Sequence, residues 1–262
     1  MTTRTFLVHG LLAGLLAGVA AFVVAYTVGE PQVDRAIALE SAGATADHHH
    51  EDGATASDSH SHSHDDAAVS RATQSTLGLA TGTLAIGVVL GGLTGLLSAV
   101  GLGRLGSLRP AASTALVALL GAVSFSVVPF LKYPATPPAV GSGETIDSRT
   151  ALWFGFVAVS VLGVLAAVAV ARWAARRWSG VPGTIAGATA YAVVVAVAAL
   201  AFPKVDELGG FPASILWDFR ISSLLTLLAM WAVIGAALTA LVDRTWRRQE
   251  AVEAQRAFAA AL

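Results

Sequence analysis

Residues 76–100 read TLGLATGTLAIGVVLGGLTGLLSAV, and from Ala72 to Gly103 there is no Asp, Glu, Lys or Arg. As an α-helix those 25 residues extend about 37 Å, more than the roughly 30 Å of a bilayer's hydrocarbon core. Five further apolar runs, at 6–28, 111–131, 150–171, 183–202 and 221–242, are each of about 20 residues or more. In hydrocarbon the backbone must satisfy its own polar groups, so runs of this kind are helices. The pattern predicts an all-α polytopic membrane protein with six transmembrane helices in a single membrane domain. Taken in chain order the six spans make three consecutive helical hairpins. The second and third carry similar boundary residues, Pro129, Lys132 and Arg149 against Pro203, Lys204 and Arg220.

The composition agrees: of 262 residues 55% are hydrophobic and 13% charged, where a soluble domain has about a quarter charged. A net charge of −1 provides no basic field for nucleic acid. Cysteine is absent and methionine occurs twice, which excludes disulfides and thiolate sites and argues against a soft Cu(I) path. The first run is longer than a secretory h-region, so it reads as a span and not a cleaved signal. Ten arginines (4, 104, 109, 172, 176, 177, 244, 247, 248 and 256) fall on one side of a six-span layout. The other side holds six basic residues, Arg35, Arg71, Lys132, Arg149, Lys204 and Arg220. The positive-inside rule then puts both termini in the cytoplasm of a plasma-membrane protein and the 29–75 loop outside.

Small residues four apart let transmembrane backbones approach closely. Gly10, Gly14 and Gly18 on the first span, with Gly78/Gly82 and Gly87/Gly91/Gly95 on the second, are read as packing seams. The cytoplasmic tail, 243–262, is either an interfacial helix or a helical continuation.

Six of the seven histidines, His48, His49, His50, His60, His62 and His64, sit in the outer loop among Asp47, Glu51, Asp52, Asp58, Asp65 and Asp66. The 41–70 segment is otherwise rich in Ala, Ser, Gly and Thr, cannot bury a core, and is expected to be disordered. Neutral imidazole binds Co²⁺, Ni²⁺, Zn²⁺ and Cu²⁺, so the tract suits capture of a divalent ion without naming it. A pH-responsive patch or a plain linker are the other readings. Nearby, Pro31 would open a short helix on which Glu30 and Asp34 share a face, with Glu40 further along; these acids are hard oxygen ligands for a dication or partners for Arg35. His9 lies inside the first span near its cytoplasmic end, and an intramembrane ionisable residue is a functional candidate. Together His9, Glu30, Asp34 and Glu40 mark a possible transport path. The proline-rich run 129–141 is expected to be extended or turned, either a rigid connector or a source of carbonyl oxygens.

Gly29-Glu30-Pro31, Val33-Asp34-Arg35-Ala36-Ile37, the 129–141 run, Glu144-Thr145-Ile146, Arg149-Thr150, Leu216-Trp217 and Phe219-Arg220 resemble the CbtA family of cobalt transporter subunits. The resemblance spans nearly the whole chain. It implies a membrane component of cobalt uptake, with Co²⁺ as cargo and no permanently bound cofactor, and a partner, CbtB, a small single-span protein with its own histidine motif. The histidine tract looks like an insertion outside the shared pattern. No P-loop and no nucleophile-base arrangement occurs, so the chain is not expected to be an enzyme. The rival reading is a membrane-embedded assembly or sensor protein that binds metal without moving it.

Overall fold

The computed structural model describes residues 1–47, 70–178 and 180–261. Among them there is no strand, and six helices are long and apolar enough to cross a membrane: α1 Thr3–Ala42, α2 Arg71–Gly101, α3 Pro110–Lys132, α4 Gly143–Arg177, α5 Gly180–Ala201 and α6 Ala213–Ala260. The protein is a multi-pass membrane protein. Its two ends differ: one, the terminal face, carries Met1, the last described residues and the short 102–109 connection. The other, the loop face, carries the far end of α1, the start of α2 and the connections at 133–142 and 202–212.

The tightest interface is α1 on α2, followed by α4 on α5, α1 on α6 and α3 on α6. Consecutive hairpins thus describe the path of the chain, whereas α3 and α6 find their main partners elsewhere. The α1/α2 interface is closed by glycine. A Cβ on Gly18 would lie 2.7 Å from the Leu84 Cα and one on Gly87 2.8 Å from the Gly18 Cα, and one on Gly10 would strike the Gly91 carbonyl. Only hydrogen fits there, so the backbones touch along three turns and gain the dispersion contact that drives helix association in lipid. Gly78 and Gly82 are different: a Cβ on Gly78 would have ordinary room and one on Gly82 nothing within 4 Å, so the expected second seam there does not exist. A second seam lies instead between α5 and α4, where Cβ atoms on Gly183 and Gly187 would each fall 2.7 Å from a backbone oxygen, of Ala171 and Ala167.

Three helices contain a π-helical turn, Ala25–Gly29 in α1, Gln74–Gly78 in α2 and Ala122–Val127 in α3. In α1 this turn carries the helix directly into Glu30–Asp47, so Pro31 opens no separate helix. In α3 it delivers the chain to Pro129, which stands in the first turn of Val128–Lys132. A residue without an N–H is tolerated where the regular bonding pattern has already been broken. The turned run therefore begins at Tyr133, four residues later than its first proline suggests. The Ser126 hydroxyl in the same π turn accepts the Trp231 indole N–H at 2.7 Å, and the ring lies against Gly121, which ties α3 to the middle of α6. At 48 residues α6 is about 70 Å long, so it passes through the bilayer and its last four turns, through Ala260, continue as an exposed helix.

Candidate functional site

The charged residues that sequence reading placed at the edge of the membrane gather at the loop face. Glu30 and Asp34 are one turn apart on α1 and face α2. Arg71, the first residue of α2, donates to both: its Nη2 bonds Glu30 and lies 2.9 Å from Asp34 Oδ1, while its Nε is 3.2 Å from the same oxygen. The two acids thus share one guanidinium. The sequence offered Arg35 as their partner; on a helix Arg35 points elsewhere, donating to Gln32 at 3.0 Å and standing 3.8 Å from Asp218 at the start of α6. Arg71 escaped sequence reading because it lies 37 and 41 residues away.

A second cluster ties the two proline- and glycine-rich connections together. Glu207 accepts from the Ser142 backbone N–H at 3.2 Å and the Thr145 hydroxyl at 2.9 Å, with Arg149 Nε at 3.5 Å. Arg149 also donates to the Ser142 carbonyl at 3.1 Å. Gly141 sits under this buckle at φ +94°, and a Cβ there would fall 2.8 Å from Glu207 Oε2. The backbone demands glycine, and the ends of the Arg149 and Glu207 side chains would have to shift to admit a Cβ. Glu207 was not singled out from the sequence; its only signal was an acid just before Gly209 and Gly210 in a connection.

Lys132 takes a structural place, donating to the carbonyls of Ala199 and Phe202 at 2.8 and 3.0 Å. The first is a last-turn carbonyl of α5 and the second belongs to the residue just past its end, groups the helix itself leaves unpaired, and a cation also suits the helix C-terminus. The adjacent Tyr133 hydroxyl donates to the Pro203 carbonyl at 2.8 Å, and partial burial raises its pKa above the usual phenol value.

Beside the Glu207 cluster lies an open cavity of about 690 Å³. Leu39 and Glu40 of α1 form one wall, and Ala139, Gly141 and 207–212 the others. Glu40 and Glu207 therefore line one space. Ala139, at φ +68°, and the glycines around it expose backbone to this cavity, a setting in which non-helical chain at the membrane edge is tolerated.

His9 belongs to the opposite end. It precedes Glu30 by 21 positions, about 30 Å of helix, and its Nδ1 is buried without a hydrogen-bond partner. A second cavity, about 550 Å³, opens at that end between α3 and α6 beside Thr239 and Asp243. The acids and His9 are thus not one cluster. Among the described residues no three His, Cys, Asp or Glu side chains come together as a metal-binding group. His48, His49, His50, His60, His62 and His64 lie outside the described residues.

Compared with known proteins, the chain matches one family model over residues 3–243, that of the probable cobalt transporter subunit CbtA. No curated protein and no solved structure matches it.

Proposed function

The chain belongs to the CbtA family of probable cobalt transporter subunits, and from that premise we propose that it is the membrane subunit through which a divalent transition-metal ion, Co²⁺ first among them, is taken up. The observation that carries the reading is the family match across all six spans. The arrangement of charge supports it: acids collect at one face, while the helix interiors hold hydroxyls such as Thr94, Ser98, Ser124 and Ser126.

In this reading the loop face is external and both termini are cytoplasmic, as the distribution of arginine favours. The histidine tract, His48 to His64, raises the local concentration of metal. The ion then passes Glu40 and the acids Glu30 and Asp34, whose negative charge offsets part of the cost of stripping water from a dication. His9 serves at the cytoplasmic end. The chain has no P-loop, so the driving force comes from elsewhere, and a CbtB-like single-span protein is the partner proposed for assembly.

Proteoliposome uptake of labelled Co²⁺, Ni²⁺ and Zn²⁺ tests this, with and without the partner. Neutralising Glu30 and Asp34 to Gln and Asn strands the Arg71 cation, taking the cluster from net −1 to +1. A triple variant that also carries Arg71→Gln returns it to zero. If the acids are ligands, maximal uptake falls in both variants; if only charge balance matters, the triple variant recovers. Retained metal binding with no uptake under any condition, partner included, would favour the assembly or sensor reading.

A further inference from the structure

The loop-face end of α1, Glu30–Ala42, is joined to the rest of the helix at a weak point. Three features that weaken a helix coincide at its root. The π turn Ala25–Gly29 interrupts regular bonding; Gly29 has nothing nearer than 4.0 Å to where its Cβ would stand; and Pro31 cannot donate a backbone hydrogen bond to the turn before it. Sharp bends in helices occur at such places. Beyond the root the apolar hold is shallow: Ala36 is the one fully buried hydrophobic residue there, Val33 and Leu39 are partly buried, and Ile37 is exposed.

Its ion-pair anchors are charged and wet. Arg71 is 36% exposed and its partner Asp34 64%, although Glu30 is only 14% exposed. The Arg35 and Asp218 pair is more than half exposed on both sides. Such pairs contribute little individually and are screened by salt. At the far end of the segment, Leu39 and Glu40 wall the cavity whose other side is 207–212.

We propose that Glu30–Ala42 is a hinged lid over the loop-face cavity, swinging at the π turn and Pro31, with Arg71 as its latch. The cavity, already open with Arg71 engaged, widens when Arg71 releases Glu30 and Asp34, so a cation that competes for those carboxylates also widens the way in. The ion-route part of this inference rests on the uptake reading above; the lid itself does not.

The chain has no cysteine, so labels can be placed without removing native thiols. Leu39→Cys with Gly210→Cys puts one label on the lid and one across the cavity, where a side chain at 210 meets nothing within 4 Å. Pulsed electron-spin distance measurement on the full chain in nanodiscs should give one short distance at low salt. A second, longer population should appear in the Arg71→Gln background. It should appear equally at 0.5 M salt without that change, a check that does not depend on how the variant folds. Joining the two cysteines with a reducible linker should lower Co²⁺ uptake at least about tenfold, and reduction should restore it. A single distance unchanged by salt and by Arg71→Gln overturns the lid. A lid that opens by distance, but whose cross-linking leaves uptake untouched, stands as a lid and overturns the cavity as the ion's route.

Discussion

Substituting Gly14 by alanine adds one methyl group to the α1/α2 seam, and the structure gives the size of the effect. The new Cβ would strike the Gly87 carbonyl oxygen and lie 2.9 Å from the Gly87 carbonyl carbon and 3.0 Å from the Val88 Cα, where ordinary contact begins near 3.4 Å. All three obstacles are backbone and cannot rotate aside, so the helices must part by about one ångström. A gap of that size forfeits about half of each dispersion contact along the seam, and overpacking of this kind costs about 1–3 kcal/mol. With no flexible side chain to absorb it, the upper end applies, about 3 kcal/mol, or about 6–12 °C in Tm for a chain of this length. Gly82→Ala on the same helix pair is the control. Its Cβ would meet nothing, and alanine is favoured over glycine within a helix by about 0.5–1 kcal/mol. Heating the detergent-solubilised protein and following the monodisperse fraction by fluorescence-detected gel filtration measures both. Equal losses for the two variants, or no loss for Gly14→Ala, would refute the close-contact argument.

Two further outcomes are expected. Gly141→Ala must hold a side chain at φ +94° and beside the Arg149 and Glu207 pair; it should cost about 2 kcal/mol or more, read as a lower Tm, with Gly143→Ala, which meets nothing within 4 Å, near wild type. Deleting residues 47–66 removes the histidine tract and leaves the six spans whole, so Co²⁺ uptake should keep its maximal rate while its KM rises. Binding to the intact tract should weaken as pH falls through the imidazole range near 6.5, measurable by calorimetry on the full chain with the deletion as blank.

Much of the architecture was legible because bilayer physics writes itself into sequence. Six uncharged runs have one solution in hydrocarbon, and Gly10, Gly14, Gly18, Gly87, Gly91 and Gly95 announce a close approach by their spacing. What was not legible depended on particular neighbours. Gly78 and Gly82 have the same spacing as the true seam yet face open space, because spacing records a helix face and not what stands opposite it. Gly183 and Gly187 have the signalling spacing and were passed over; the alanines they meet, in a chain this rich in alanine, give no signal of their own. Pro31 and Pro129 were taken as helix boundaries, and a π turn before each lets the helix pass. Glu207 and Arg149 meet only because an irregular connection folds over the start of α4, with no period to follow.

The Arg71 latch lies between these cases, because its position follows from the seam by a step of counting that sequence reading did not take. Two antiparallel helices with equal rise keep the numbers of facing residues at a constant total. Gly10 meets Gly91, Gly14 meets Gly87, and Gly95 meets Phe6, so each pair totals 101. Carried on toward the loop face, the same register puts Glu30 opposite residue 71, which is the arginine it binds. The register survives because each helix carries one π turn on the way, Ala25–Gly29 in α1 and Gln74–Gly78 in α2. A π turn in only one of them would insert an extra residue on one side, turn the helix beyond it by roughly 100°, and carry the carboxylates away from the guanidinium. Matched interruptions keep the helices in step while loosening both immediately below the ion pair. The rigid glycine seam thus sets where the carboxylates and Arg71 meet, and the paired π turns leave the segment beyond them free to move without disturbing the seam.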